Sequence, residues 1–158
     1  LDIPLLVIAT DYWRGEEVVL ETGALLPALK ASIAIPGVFA PVMIGDRVLL
    51  DGGIVDGVPY EHILDCCDVS IAVDVAGIRT PGICRIPNVW ESVLGSIQIM
   101  QEENLSARMK RRKPDIYVCP EIADVPLLAF GKAARVLRQS APAVQDMKKK
   151  IEAILARS

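Results

Sequence analysis

The stretch Asp51-Gly52-Gly53-Ile54-Val55-Asp56-Gly57, entered from the apolar run Val48-Leu49-Leu50, places a carboxylate between a strand end and two glycines. A charge inside a buried strand is costly, whereas a carboxylate just past the strand end can stay ionised. Two residues without Cβ also let a reacting group or another backbone come close. Asp51 is therefore the candidate catalytic base, with Gly52 and Gly53 shaping the substrate side of its approach. Asp-Gly-Gly is equally ordinary turn chemistry, so these residues alone leave a turn and a presented base both open.

The other residues able to do chemistry are more easily given bland roles. Asp56, the rival carboxylate, reads as a turn-capping side chain. Asp11 follows the apolar strand Leu5 to Thr10, and Asp74 ends the run Val69 to Val73. Both could face the carboxyl edge of a sheet, where α/β folds place ligands, but helix capping or loop bonding accounts for them. The single histidine, His62, falls inside a helix expected after Pro59, a poor place for a base. Asp51 to Gly57 is not a calcium loop, because Gly53 and Val55 stand where that pattern needs oxygen ligands. The four cysteines, Cys66, Cys67, Cys84 and Cys119, form no Cys-x-x-Cys pair and have no partner histidines. They read as reduced, partly buried thiols of a cytoplasmic protein. No metal and no cofactor is expected.

The text before Asp51 narrows the choice. The block Ala31-Ser32-Ile33-Ala34-Ile35-Pro36-Gly37-Val38-Phe39-Ala40-Pro41-Val42 leads through a short polar turn into the strand ending in Asp-Gly-Gly, and Val58-Pro59 then opens a helix. Upstream, Ile8-Ala9-Thr10-Asp11 sits at a strand end and Gly23 precedes a helix. In this order the motifs resemble the patatin-like phospholipase family over residues 4 to 60, with looser similarity to about residue 155. The resemblance implies a Ser-Asp dyad acting on acyl lipids: a serine in a Gly-x-Ser-x-Gly elbow, an Asp in Asp-Gly-Gly, and a glycine-rich oxyanion loop. It assigns the base to Asp51 and makes Pro36 to Pro41 the loop that backs it, with Ser32 a structural residue of the preceding helix.

Only the Asp is present. None of the seven serines (Ser32, Ser70, Ser92, Ser96, Ser106, Ser140, Ser158) has glycine two places away on both sides, so no nucleophile elbow can be built from this chain. In the family those parts precede the strand that opens this sequence. Residues 1–158 are thus expected to be the carboxyl half of one patatin-like domain, inactive alone, with the amino-terminal half as its partner. A non-catalytic binding or regulatory subunit is the alternative, and an acyl-carrier transferase is disfavoured by the position of His62.

Strand and helix patterns alternate along the chain, which predicts an α/β fold with a mostly parallel sheet, and the patatin-like resemblance implies a three-layer α/β/α arrangement of it. Leu5 to Thr10, Glu16 to Leu20, Val48 to Leu50, Val69 to Val75 and Ile116 to Cys119 read as strands. Leu25 to Ala34, Tyr60 to Cys66, Val89 to Arg112 and Gly131 to Leu155 read as helices, with Gly77 to Asn88 a loop. The last helix should carry the stripe Leu137, Ala141, Val144, Met147, Ile151 and Leu155, bent or divided by Pro142.

Composition limits the partners. Apolar residues make up 52% of the chain and its mean hydropathy is +0.38, as expected for strands covered on both faces or for apolar surface that meets a missing half or a second copy. No run reaches the ~20 apolar residues of a membrane span. A net charge of -3 argues against nucleic acid. The basic cluster Arg108 to Lys113 reads as a solvated helix end, with peripheral contact to an anionic membrane as its rival.

Overall fold

A computed structural model of the chain describes residues 2–76, 86–123, 125 and 130–156. The chain divides into two compact units, the first made of Leu1–Pro59 with Val89–Arg111 and the second of Tyr60–Asn88 with Arg112–Ser158.

The first unit is built on strands β1 (Val7–Asp11), β2 (Glu16–Leu20), β3 (Val42–Ile44) and β4 (Arg47–Asp51), arranged β2-β1-β4-β3. Every pairing in this sheet is antiparallel, which corrects the mostly parallel sheet expected from the sequence. The reason lies in the connections. A crossover between parallel strands needs a dozen or more residues, whereas β1 and β2 are joined by Tyr12–Gly15 and β3 and β4 by Gly45 and Asp46. The first turn is tied by Asp11, whose Oδ1 accepts the N–H groups of Trp13 at 3.0 Å and Arg14 at 3.1 Å.

Helix α1 (Leu25–Ser32) buries only Ala28 and Ala31. Small residues on that face let the helix lie close to the sheet, and Ala9, Val18, Ala31 and Leu49 form the core with Leu20, Val42 and Ile44 around it. Pro27 is in the first turn, where its missing N–H costs nothing. The helix stops at Ser32, so that residue is helix-terminal rather than mid-helical. Helix α2 (Val89–Arg111) completes this unit. It buries no residue fully, and its half-buried positions include Leu94, Ile97, Gln101, Leu105 and Arg108, at helical spacing.

The second unit contains the parallel pair β5 (Ile71–Val73) and β6 (Ile116–Val118), in register Ile71 to Ile116. Ser70 and Asp115 lock its entrance. The Ser70 hydroxyl donates to Asp115 Oδ2 at 2.6 Å, the Ser70 N–H donates to the same oxygen at 2.8 Å, and the Asp115 N–H donates to Ser70 Oγ at 2.9 Å. Asp74 closes the other end by accepting from Tyr117 Oη at 2.8 Å. Burial and that carboxylate together push the Tyr117 phenol upward, burial being the larger cause. After Pro59 the chain makes a 3₁₀ turn at Tyr60–His62 followed by further turns, and not the expected helix to Cys66. The bonds Ile63 N–H to Tyr60 O and Cys66 N–H to Ile63 O keep the tighter spacing.

Helix α3 (Ala133–Leu155), preceded by a 3₁₀ turn at Phe130–Lys132, continues across Pro142 without division. Its half-buried positions are Arg135, Val136, Gln139, Ser140, Ala143, Met147, Ile151 and Ile154. Leu137 and Leu155 of the expected stripe are 71% and 64% exposed. Apolar residues occur on both candidate faces, so packing against β6 decides the face. Cys66 and Cys67 are exposed free thiols and Cys119 is half-buried, which corrects the partly buried reading for the first two. Cys84 and most of the Gly77 to Asn88 segment lie outside the described residues. Among the described residues, no helix is long and apolar enough to cross a membrane.

The core assignment is testable by urea denaturation. Leu49→Ala empties a fully buried position and should cost about 2–5 kcal/mol. Met43→Ala, on the neighbouring strand but 72% exposed, should stay within about 0.5 kcal/mol of the parent.

Candidate active site around Asp51

Asp51 is the last residue of β4, and pairing with Ala9 fixes its backbone. Its N–H donates to Ala34 O at 3.1 Å, which ties the strand end to the segment leaving α1. Its carbonyl accepts from Thr10 Oγ1 at 2.8 Å. Strand pairing then ends, because Gly52–Ile54 turns into a 3₁₀ helix that Asp51 caps. The Asp51 side chain accepts the Gly53 N–H at 2.7 Å through Oδ1. Burial raises its carboxyl above the usual aspartate range, and the Gly53 N–H partly offsets that rise.

Space dictates Gly52, where backbone is in the way, more firmly than Gly53, where two side-chain ends are. A Cβ on Gly52 would lie 2.3 Å from the carbonyl oxygen of Ile8 and 2.6 Å from its carbon, so backbone meets backbone there. A Cβ on Gly53 would lie 2.7 Å from Gln101 Nε2 and 2.9 Å from Asp51 Oδ1. The two reasons differ. Gly52 lets β4 pass β1, while Gly53 leaves room for the carboxylate that its own N–H holds.

Asp56 caps its turn by accepting the Val58 N–H at 3.2 Å, as its sequence context suggested. It is also buried and ion-paired with Arg108 of α2. Burial pushes the Asp56 carboxyl up, while Arg108 opposes this and Glu17 adds to it. Arg108 further contacts Glu17 at 3.8 Å and donates to Val55 O at 3.4 Å. The basic cluster is therefore not a wholly solvated helix end. Arg112, in the second unit, likewise pairs with Asp65 through both guanidinium nitrogens.

The face of α2 that grips the turn after Asp51 escaped the sequence reading. Gln101 Nε2 donates to Gly53 O at 2.7 Å, and Asn104 Nδ2 donates to Val55 O at 3.2 Å. With Arg108 these polar residues recur at intervals of three and four, which puts them on one helix face. That spacing was available in the sequence, but a polar face reads as solvated until the loop it grips is known. Asp11 spends its carboxylate on the Tyr12–Gly15 turn, and Asp74 and His62 belong to the second unit, where His62 is exposed.

The profile of patatin-like phospholipases matches residues 5–64, which contain β1 to β4 and the whole Asp51 to Gly57 turn. Over that segment the chain is similar to the patatin-like phospholipase family. An uncharacterized NTE family protein of Mycobacterium tuberculosis is 45% identical over 91 residues, which is 56% of this chain and 25% of that protein. A second from the same organism is 35% identical over 72 residues, 46% of this chain and 12% of its own length. A lysophospholipase of Candida glabrata is 29% identical over 136 residues, 72% of this chain and 8% of its own length. The chain thus spans at most a quarter of the length of these relatives. The matches support a lipid hydrolase family.

Two substitutions separate the space requirement from turn preference. Gly52→Ala should destabilise by about 3 kcal/mol because backbone must move, while Gly57→Ala, whose Cβ would meet nothing closer than 3.9 Å, should be nearly neutral in thermal melts. The ion pair gives another test. Arg108→Met leaves a buried carboxylate unpaired and should cost about 3 kcal/mol, and adding Asp56→Asn should recover part of that loss in a double-mutant cycle.

Proposed function

We propose that this chain supplies the base half of a Ser-Asp acyl hydrolase that cleaves ester bonds of phospholipids or lysophospholipids. Asp51 carries the proposal: a carboxylate at a strand end, held by the Gly53 N–H, inside the segment that matches the family. Asp51 takes the serine proton as the serine oxygen attacks the ester carbonyl, and returns it to the leaving alcohol. Water then hydrolyses the acyl-enzyme with Asp51 again as base. No histidine is needed between the two residues.

The serine elbow and the oxyanion loop come from sequence outside these 158 residues, so the isolated chain does not hydrolyse esters. The three-layer α/β/α arrangement belongs to the complete domain. Ile33, Phe39 and Trp90, exposed in the first unit, offer apolar surface for the acyl lipid, the remaining half or a second copy to cover. Lys110 and Arg111 beside Arg108 leave room for peripheral contact with an anionic membrane.

In the complete protein, Asp51→Asn keeps size and turn geometry while removing basicity, so turnover should fall about 100-fold to 10,000-fold with the melting curve little changed. Asp56→Asn should lower stability far more than turnover per folded molecule, and His62→Ala should stay within about a few-fold of the parent. Activity should disappear as pH falls through the Asp51 carboxyl, at a pH above that of an ordinary aspartate because burial raises it. Unimpaired lipid hydrolysis by Asp51→Asn would refute the assignment.

A further inference from the structure

The Asp51 carboxylate owes its orientation to a residue with no side chain. Gly53 donates its N–H to Oδ1 at 2.7 Å, and glycine is the residue most able to rotate away from such a bond. That N–H lies in the Gly52–Gly53 peptide, whose carbonyl accepts from the N–H groups of Val55 at 3.1 Å and Asp56 at 2.9 Å, while the peptide on the other side of the Gly53 Cα is held separately. The Gly53 carbonyl accepts from Gln101 Nε2 at 2.7 Å, from a helix 48 residues further along the chain. The partner is a carbonyl oxygen, so the Gln101 atom facing it must be the nitrogen, which fixes the orientation of the amide. Gln101 Nε2 and Asp51 Oδ1 lie 2.7 and 2.9 Å from one point, the place where a Gly53 Cβ would sit. The amide and the carboxylate therefore flank the same face of Gly53.

We propose that Gln101 is a positioning residue for Asp51, acting through the backbone of Gly53 by fixing the peptide plane that follows it while the 3₁₀ turn fixes the one before. The inference rests on the reading of Asp51 as catalytic base. Gln101 touches neither the carboxylate by a hydrogen bond nor, in that reading, the reacting ester. Its contribution is to keep Gly53 in the one conformation that aims the carboxylate at the serine proton. Small displacements of a positioned base are costly in rate. Asn104 provides an internal contrast, since it makes the same kind of bond from the same helix to Val55 O, beyond the residue that holds Asp51.

The test uses the complete protein and a lysophospholipid substrate. Gln101→Ala should lower kcat about 10-fold to 100-fold with KM changed less than about 2-fold, the pattern of a group that acts on the transition state alone. Gln101→Glu fills the same space without a donor while ionised and should show the same loss. This variant keeps the test informative if the alanine variant folds poorly. Asn104→Ala should keep kcat within about 2-fold although it removes an equivalent bond. Selective ¹⁵N-glycine labelling should show the Gly53 amide exchanging at least about 10-fold faster in Gln101→Ala than in the parent. An inactive Asp51→Asn beside a fully active Gln101→Ala would overturn the positioning role. An active Asp51→Asn would instead remove the catalytic reading, and an unchanged Gly53 amide in Gln101→Ala would show that the amide holds nothing.

Discussion

No side chain fits between Gly52 and the carbonyl of Ile8, and that close approach decides where β4 ends. Strand pairing carries Asp51 alongside Ala9, and the next residue must turn without a Cβ. The turn is a 3₁₀ helix, so the Gly53 N–H returns to the Asp51 carboxylate that caps it. A larger residue at position 52 would separate the strands or redirect the turn. Either change would move the carboxylate, so its location follows from backbone sterics before any polar contact forms.

Polar contacts then hold what sterics has placed. The carbonyls and carboxylate of the turn from Gly53 to Asp56 are engaged by Gln101, Asn104 and Arg108. The Asp56–Arg108 pair specifies more than it stabilises, because taking two charges out of water offsets much of their attraction. A uniformly apolar contact could hold the turn as firmly. It would not fix the orientation of each peptide plane, which hydrogen bonds do.

Much of the first unit was legible in the sequence. The continuous apolar run of β1, the helix stopped before Pro36 and the brief strand delivering Asp51 all follow from patterns of apolar, proline and glycine residues. Strand direction was not. A strand buried on both faces looks alike in parallel and antiparallel sheets, and β1 is buried along its whole length within an antiparallel one. The clamp on α2 was also hidden, since its partners are backbone carbonyls that leave no trace in residue types. Likewise, the face of α3 depends on β6, and periodicity alone could not choose between Leu137 and Val136.

The parallel pairing of β5 with β6 has a further consequence. Ser70 and Asp115 are 45 residues apart, and the chain between them leaves the second unit, builds α2 of the first, and comes back. Neither unit is a continuous stretch of the gene. A chain boundary anywhere between Asn88 and Arg112 would therefore remove a part of both, and each must wait during folding for residues made after the other has begun.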